Sequence, residues 1–187
     1  MPPKVKVTKE AIINAAMDIV RENGAAALNA RAVAARLDCS TQPIFSNYNN
    51  LEELRADVIA QANKLYQSYL QQDMSSGEFP AYKASGMAYI RFAQEERELF
   101  KLLFMRDRSA EDLTGEERKI DGMVEIIHQT TGLSKEEAFL FHLEMWVCVH
   151  GIATMVATAY LNWDRELTSR MLTDVFEGLK SRYMHKE

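Results

Sequence analysis

Residues 29–54, NARAVAARLDCSTQPIFSNYNNLEEL, constrain the fold of this chain more strongly than any other stretch. Apolar residues recur there at helical spacing in two short blocks with a polar break between them. The residues expected on the two buried faces are Val33, Ala34 and Leu37 in the first block and Ile44, Phe45 and Tyr48 in the second. The pattern predicts a helix-turn-helix, in which the second helix keeps one side free for a DNA groove.

Capping residues support this interpretation. Asn29 can cap the first short helix, and Ser40 can cap a second one that begins at Thr41. Pro43 then lies in the first turn of the second helix, where its missing N–H costs little. Asn50-x-x-Glu53 has the spacing of a capping box, which predicts a further helix directly behind.

The segment resembles the DNA-binding domain of the TetR family of one-component transcriptional repressors. That family has a Thr cap, an Ile-Ala pair, a Gly-Val-Ser turn, an aromatic pair and a Lys that opens helix four. At these places this chain has Asn29, Val33-Ala34, Asp38-Cys39-Ser40, Phe45 with Tyr48, and Leu51. The resemblance covers about residues 6–60 in motif and only the all-helical plan beyond them. It implies a DNA-binding head followed by a ligand-binding, dimerising body.

Three positions depart from the family pattern. Phe45 stands where a tyrosine often reaches a DNA phosphate, and Leu51 stands where a lysine often does the same. Asp38 replaces the turn glycine, and Asp tolerates φ > 0 better than most residues if the turn requires it. The alternative is a generic helical corner inside an unrelated bundle.

The rest of the chain predicts an all-α fold of about nine helices. The sequence is 47% hydrophobic, has only 8 Gly and 4 Pro, and shows no long alternating run. The predicted helices cover about residues 9–23, 30–37, from 41, 51–72, 81–95, 98–105, 115–131, 135–161 and 165–183. Capping boxes at Thr114-x-x-Glu117 and Ser134-x-x-Glu137 open the seventh and eighth. We expect a DNA-binding domain over residues 1–52 and a ligand-binding, dimerising domain over residues 53–187.

The charge is divided unevenly between the two parts. Residues 1–50 hold six Lys or Arg and four acidic residues, a balance of +2. Since the net charge of the whole chain is −5, residues 51–187 carry −7. The basic end is therefore the proposed DNA end. Because +2 is a weak footprint, we expect a homodimer to sum two half-sites of a palindromic double-stranded DNA operator.

Localisation follows from the cysteines and the apolar runs. Cys39 and Cys148 are far apart in helical contexts, which predicts free thiols and a reducing cytoplasm. The N-terminus has no apolar signal-peptide core. The longest apolar run, residues 145–160, is interrupted by His150, Gly151 and threonines, which indicates a buried helix and no membrane span.

The candidate base-reading groups are the residues expected on the outward side of the second short helix, with Thr41 at its exposed N-terminal end. The outward residues are Gln42, Pro43, Ser46 and Asn47. Gln and Asn can pair bidentately with adenine, and the helix has no Arg or Lys for guanine, so we expect A·T contacts to dominate. Phosphate contacts are expected from Arg31, Asn29, the Tyr48 hydroxyl, and Lys4 or Lys6, with help from N–H groups opening helix four. Tyr48 is equally well explained as a core aromatic. The candidate DNA-binding set is Asn29, Arg31, Thr41, Gln42, Pro43, Phe45, Ser46, Asn47 and Tyr48.

The eighth helix carries the dimer prediction. It is apolar nearly all round and must therefore be covered on every side, by the chain's own core and by a partner copy. The last two helices resemble the dimer-forming pair of the TetR family, while a monomer with a fully internal eighth helix is the alternative. The candidate interface residues are Trp146, Val149, Ile152, Met155, Val156, Tyr160, Met171, Val175, Phe176 and Leu179.

A pocket for an apolar or aromatic effector is the least constrained prediction. Polar groups inside apolar helices, above all the histidines, are better pointers than aromatic stripes, because burial demands a partner. Each histidine alone is more often a satisfied structural residue. The candidate ligand-binding residues are Tyr89, Phe92, Phe104, Met105, His128, His142, Trp146 and His150.

Enzyme motifs are not found. Glu125-x-x-His128 matches half of a di-iron helical motif, and the second half does not occur. There is no HExxH, phosphate-cradling glycine loop or CxxC, so we expect no enzyme, no cofactor and no metal. Two functions stay open: a transcriptional repressor released from its operator by a small molecule, and a helical small-molecule-binding or adaptor protein whose head has lost DNA binding.

Overall fold

A computed structural model describes residues 7–107, 109 and 116–185, and of residues 116–119 the backbone only. Nine α-helices and no strand occur in these residues, so the all-α prediction is confirmed. The predicted phosphate ligands Lys4 and Lys6 and the predicted cap Thr114 lie outside the described residues. The helices are α1 Lys9–Asn23, α2 Ala30–Arg36, α3 Gln42–Asn47, α4 Leu51–Ser75, α5 Ala81–Glu95, α6 Arg97–Phe104, α7 Glu116–Thr131, α8 Lys135–Ala157 and α9 Arg165–Met184.

The contacts group the chain into two compact units. The head unit comprises the described residues up to Gln67 together with Glu96–Arg106, and the body unit comprises Ser68–Glu95 and the described residues from Asp107 onward. α4 contributes to both units and α6 belongs to the head. The functional boundary predicted between residues 52 and 53 stays a prediction.

The first helix forms as its sequence predicts. Thr8 caps it by accepting a hydrogen bond from the Ala11 N–H at 3.1 Å. Gly24 ends it with φ 80°, a left-handed conformation in which a Cβ is strained, and its N–H donates to the Val20 carbonyl at 2.8 Å. The buried face contains the predicted Ile12, Ala16, Ile19 and Val20.

Two of the predicted caps differ in the structure. α3 begins one residue later than predicted, with Thr41 in place of Ser40 at the cap position and no side-chain cap bond. Asn50 does accept the Glu53 N–H at 2.9 Å, but the Glu53 carboxylate accepts the backbone N–H of Asn49, at 2.8 Å. The second bond of that capping box is therefore displaced by one residue.

The body is built around α8, which differs from its prediction at its end. Its capping box between Ser134 and Glu137 forms as predicted. The helix ends at Ala157, four residues early, because Ala159 takes φ 56° and the N–H groups of Tyr160 and Leu161 both turn back to the Met155 carbonyl.

α8 is also the one described helix whose length and composition would allow it to cross a membrane, with a mean hydropathy of 1.5. The core helix of a soluble bundle meets the same criterion, so this is weak evidence for a membrane segment.

Candidate DNA-binding interface

The first helix of the motif, α2, is fixed by its cap. The Asn29 side chain accepts the Ala32 N–H at 3.0 Å and donates to the Ala27 carbonyl at 3.1 Å. Val33 and Ala34 are buried as predicted. Since both polar ends of the Asn29 amide have intramolecular partners, its role here is that of a helix cap.

The turn takes the conformation that the replacement of glycine by Asp38 requires. Asp38 has φ 49°, so the chain does place a non-glycine residue in the left-handed region there. The Cys39 N–H donates to the Ala34 carbonyl at 3.0 Å and closes the turn against α2. Cys39 itself is half-buried in this turn, where a small apolar side chain was expected.

The second helix, α3, is anchored by two side chains. Ile44 and Tyr48 are 1% and 2% exposed, as predicted, whereas Phe45 is 52% exposed. The prediction that Phe45 lies inward is wrong, because a 100° step from Ile44 carries it off the narrow buried face while Tyr48 returns to within about 40° of Ile44. Pro43 lies in the first turn as expected.

The polar side chains of α3 differ in how many of their hydrogen-bonding groups remain available to a DNA base. The Ser46 hydroxyl donates to the Gln42 carbonyl at 2.9 Å, and the Asn47 amide donates to the Pro43 carbonyl at 2.8 Å. Gln42 is exposed, and its side-chain amide has no hydrogen bond to any residue that the structure describes. Thr41 is half-buried, and its carbonyl accepts the Ile44 N–H. Gln42 is therefore the most available hydrogen-bonding side chain of α3.

Tyr48 belongs to a small polar network inside the head. Its hydroxyl donates to Asp57 Oδ2 at 3.1 Å, and the same carboxylate accepts from Lys9 Nζ at 2.7 Å. The Lys9 ammonium also lies 4.8 Å from the centroid of the Tyr48 ring. The hydrogen bond from Lys9 lowers the pKa of Asp57, and burial, followed by the bond to Asp57, raises the pKa of Tyr48. The burial of Tyr48 and the bond from its hydroxyl to Asp57 agree with the interpretation of Tyr48 as a core aromatic.

Lys9 and Asp57 were not singled out from the sequence. They lie 48 positions apart, on α1 and α4. Asp57 lies three positions after the buried Leu54 on α4, and that spacing does not identify a partner. Sequence patterns identify faces of helices and do not identify pairs between them.

The cations of α2 have separate roles. Arg31 is exposed and has no ion pair within the described part of the chain. Arg36 binds Glu22 of α1 at 2.5 Å. Among the predicted phosphate ligands that the structure describes, Arg31 is the available cation.

The predicted ligand-binding residues of the body form separate pairs. The Tyr89 hydroxyl lies 2.9 Å from His150 Nδ1, and the His150 ring stacks on Trp146 with centroids 5.0 Å apart. His142 Nδ1 lies 2.9 Å from the hydroxyl of Tyr82, a residue that the sequence did not point to. Burial lowers the pKa of both His142 and His150.

The remaining predicted ligand residues lie elsewhere. His128 Nδ1 donates to the Leu133 carbonyl at 2.5 Å and so closes the end of α7. Phe92 packs edge-on against Tyr69 in the body. Phe104 and Met105 belong to the head unit, where Phe104 packs against Tyr66 and Met105 is exposed. The structure therefore groups Tyr89, Trp146 and His150 and separates the rest.

The predicted dimer residues divide between the surface and the core. Trp146, Met155 and Tyr160 are exposed. Val149, Ile152 and Val156 were expected at the interface but are buried in the chain's own core, because only one side of α8 faces the other body helices. The exposed apolar side chains of this region are Phe139, Leu140, Trp146, Val147, Met155 and Tyr160.

The α9 residues of the predicted interface contribute mainly to the core. Val175, Phe176 and Leu179 pack against the buried cluster that contains Phe141 and Tyr183. Phe176 meets Phe141 edge-on at 5.1 Å. Met171 is half-buried. We call the exposed apolar stripe of α8, made of Phe139, Leu140, Trp146, Val147 and Met155, the α8 face.

The half-motif Glu125-x-x-His128 is used structurally. Glu125 binds Lys135 Nζ at 3.1 Å and accepts from Gln129 at 2.8 Å. The hydrogen bond from Lys135 lowers the pKa of Glu125. No group of three or more metal-ligating side chains occurs among the described residues.

These features define a class: an all-helical protein with an N-terminal helix-turn-helix and a helical body. The family model of the tetracyclin repressor-like C-terminal domain matches residues 82–176, about half of the chain. The chain therefore belongs to the TetR family, whose members are transcriptional regulators. No curated protein sequence matches it significantly.

Solved structures share the fold over nearly the whole chain. A TetR-like transcriptional regulator from Rhodococcus sp. RHA1 is 17% identical, with a TM-score of 0.67 over 98% of this chain and 99% of that one. A TetR family member from Streptomyces coelicolor A3 is 19% identical, with a TM-score of 0.62 over 89% and 96%. A TetR protein from Acinetobacter baumannii AYE, solved with minocycline, is 12% identical, with a TM-score of 0.60 over 95% and 99%. At these identities the likeness shows the fold alone.

Proposed function

We propose that this chain is a sequence-specific DNA-binding repressor that a small-molecule effector releases from its operator. The observation that carries the proposal is the division of α3 into an anchored and a presented side. Ile44 and Tyr48 hold the helix in the head, and Gln42 projects outward from it. A recognition helix needs this division to enter a major groove.

DNA binding would combine a few phosphate contacts with amide readout. Arg31 supplies a cation, and the first N–H groups of α4, next to Leu51, supply backbone donors for a phosphate. Gln42 supplies bidentate recognition of adenine, with Thr41, Pro43, Ser46 and Asn47 beside it. We therefore expect an operator that is rich in A·T pairs.

The functional unit we propose is a homodimer formed through the α8 face. Exposed large apolar side chains in one stripe mark an interaction surface, and Val147, at 65% exposure, lies near its middle. A two-fold dimer would place two recognition helices on half-sites about 34 Å apart, one turn of DNA.

Release from DNA would begin in the body unit. An aromatic or apolar effector that displaces the Trp146 ring from His150 would disturb α8 next to Tyr89. α4 is a continuous helix that contributes residues to both units, so a shift in its position would change the separation of the two recognition helices. A multidrug binding protein of this fold has been solved with imidazole, which gives a precedent for the class of ligand only.

We also propose a cytoplasmic location and no catalytic role. Both cysteines are free, which suits a reducing compartment. The histidines and carboxylates singled out from the sequence each have a structural partner, as His128 and Glu125 illustrate.

A gel shift with the DNA upstream of the chain's own gene tests the proposal across a salt series. Binding to a palindrome that weakens steeply with salt supports it. Gln42→Ala should weaken binding about tenfold or more, since a bidentate base contact is worth about 1–3 kcal/mol per half-site. The matched control is Gln67→Ala, another exposed glutamine of the head, which should bind as the wild type does.

The second candidate is a helical ligand-binding protein whose head has lost DNA binding. The observation in its favour is that α3 has no cation and that Leu51 opens α4. Absence of binding to every promoter-proximal DNA at low salt would support this candidate and reject the repressor.

A further inference from the structure

We propose that Phe45 reads the 5-methyl group of thymine in the major groove. The inference rests on the proposed DNA binding and adds a specificity-determining residue to it. Phe45 is 52% exposed on a helix whose neighbouring residue, Ile44, is 1% exposed. The ring is therefore turned away from the head core and out from the presented side of α3.

The polar neighbours of Phe45 on α3 use part of their hydrogen-bonding capacity within the helix. Ser46 and Asn47 each donate a hydrogen bond to a carbonyl of α3 itself. The helix carries no charged side chain. Gln42 is thus the side chain of α3 with its whole amide available, and Phe45 is the exposed apolar side chain of the helix.

The chemistry of the ring selects its target. A phenyl ring has no donor or acceptor, so it gains nothing from a phosphate or from the polar edge of guanine, adenine or cytosine. Thymine is the one unmodified base that presents a methyl group in the major groove, and apolar side chains contact it there. Burial of that methyl against the ring removes apolar surface of both from water.

Gln42 and Phe45 act on neighbouring base pairs. They lie three positions apart on α3, which places their Cβ atoms about 5–6 Å from each other on one face. Stacked base pairs are about 3.4 Å apart, so two side chains at that spacing span one or two steps. We expect a half-site in which an adenine bound by Gln42 is followed within two base pairs by the thymine that Phe45 contacts.

Deoxyuridine isolates this contact, because it differs from thymidine only by the methyl group. The first step selects the binding site from random duplex DNA with the full chain. Each thymine of the selected half-site is then replaced in turn by deoxyuridine, on both half-sites together, and the Kd is measured by fluorescence anisotropy. We expect one position to lose affinity by about 4-fold per half-site, or about 15-fold for the pair, the equivalent of one buried methyl each.

Variants assign the methyl contact to its residue. Phe45→Ala should bind the thymine operator as weakly as the wild type binds the deoxyuridine one, and should no longer distinguish the two. Gln42→Ala is the matched control on the same helix. It should bind more weakly while it keeps the full thymine-to-deoxyuridine ratio.

The outcomes separate this inference from the function on which it rests. If the wild type selects no DNA at low salt, both fail. If it selects a site but tolerates deoxyuridine everywhere, or the site contains no thymine, only the role of Phe45 is overturned. The same holds if Phe45→Ala keeps the wild-type ratio between the two operators. Because Phe45 is exposed, its truncation leaves the core intact, and a circular dichroism spectrum like that of the wild type checks this.

Discussion

α3 and α8 expose different surfaces, and the two helices differ in length and in how much of each is buried. α3 has six residues, and the buried side chains that anchor it are Ile44 within the helix and Tyr48 at its C-terminal end. α8 has 23 residues and buries one complete side, including Phe141. A helix as short as α3 has no stability of its own, so its position depends on the head around it.

The two exposed sides also call for different partners. α3 presents an amide and one phenyl ring without any charge, which suits a groove where base edges supply the polar partners. The α8 face presents several large apolar side chains, led by Val147, which only another apolar surface can cover. Specificity is thus expected to reside in α3 and assembly in α8.

The largest expected difference is in the free energy of unfolding when a phenylalanine is replaced by alanine in each of the two helices. Phe141→Ala removes a fully buried ring that packs against Phe176 and Tyr183, so it should lower the free energy of unfolding by about 3–5 kcal/mol. Phe45→Ala removes a ring that is half in solvent and should change it by less than about 0.5 kcal/mol. Urea denaturation of both variants measures the difference. Equal losses would mean that Phe45 is buried after all.

A charge placed on the α8 face tests assembly without disturbing the core. Val147→Glu should weaken self-association by about 100-fold or more, since a charge left uncompensated in an apolar interface costs about 3 kcal/mol. Sedimentation velocity across a concentration series measures it. Ala60→Glu, on an exposed position of α4 in the head, is the control and should assemble like the wild type. A Val147→Glu protein that stays dimeric would place the interface elsewhere.

The comparison also shows what the sequence could predict. Caps and turns are local, so the Asn29 cap, the end of α1 at Gly24 and the positive φ of Asp38 follow from a few adjacent residues. The buried side of α8 was not predictable in that way. A helix that is apolar all round gives no direction, and the positions of the other body helices decide that Val149 faces inward and Val147 outward.

The candidate site was predictable to a lesser degree than the fold. The outward position of Gln42 follows from the helical period, but Phe45 was assigned to the wrong side because α3 is too short to define its face by repetition. The partners of the body histidines, such as Tyr82 for His142, lie about 60 positions away in the chain. Such pairs depend on tertiary packing, and a single sequence contains no local sign of them.

Removal of one hydroxyl distinguishes the two roles weighed for Tyr48. Tyr48→Phe deletes the hydrogen bond to Asp57 and should lower the free energy of unfolding by about 1 kcal/mol, because an intramolecular hydrogen bond contributes about that much. DNA affinity and its salt dependence should stay as in the wild type. A salt slope reduced by about one charge, together with unchanged stability, would instead assign the hydroxyl to a phosphate.

The smallest expected effects concern the pH dependence of stability, which should differ between the body unit and the head unit. All four histidines lie in the body, and burial lowers the pKa of His142 and His150 below the ordinary 6.5. Below about pH 6.5 the unfolded chain therefore binds more protons, and stability falls as the pH drops from there through the lower folded-state values. In the head, the hydrogen bond from Lys9 lowers the pKa of Asp57 below 3.8, so its contribution is present above that pH and is lost only as the pH falls further.

Two variants assign these pH ranges to their groups. His142→Gln keeps a polar partner for Tyr82 without a titrating ring, so it should reduce the loss of stability that begins as the pH falls below about 6.5. Asp57→Asn should destabilise the chain at pH 7 and lose that difference from the wild type only in strong acid. Urea midpoints measured from pH 8 to about pH 2 test both. An undiminished loss between pH 7 and pH 5 in His142→Gln would assign that range to groups other than this histidine, and the pH 5–7 response would no longer distinguish the body from the head.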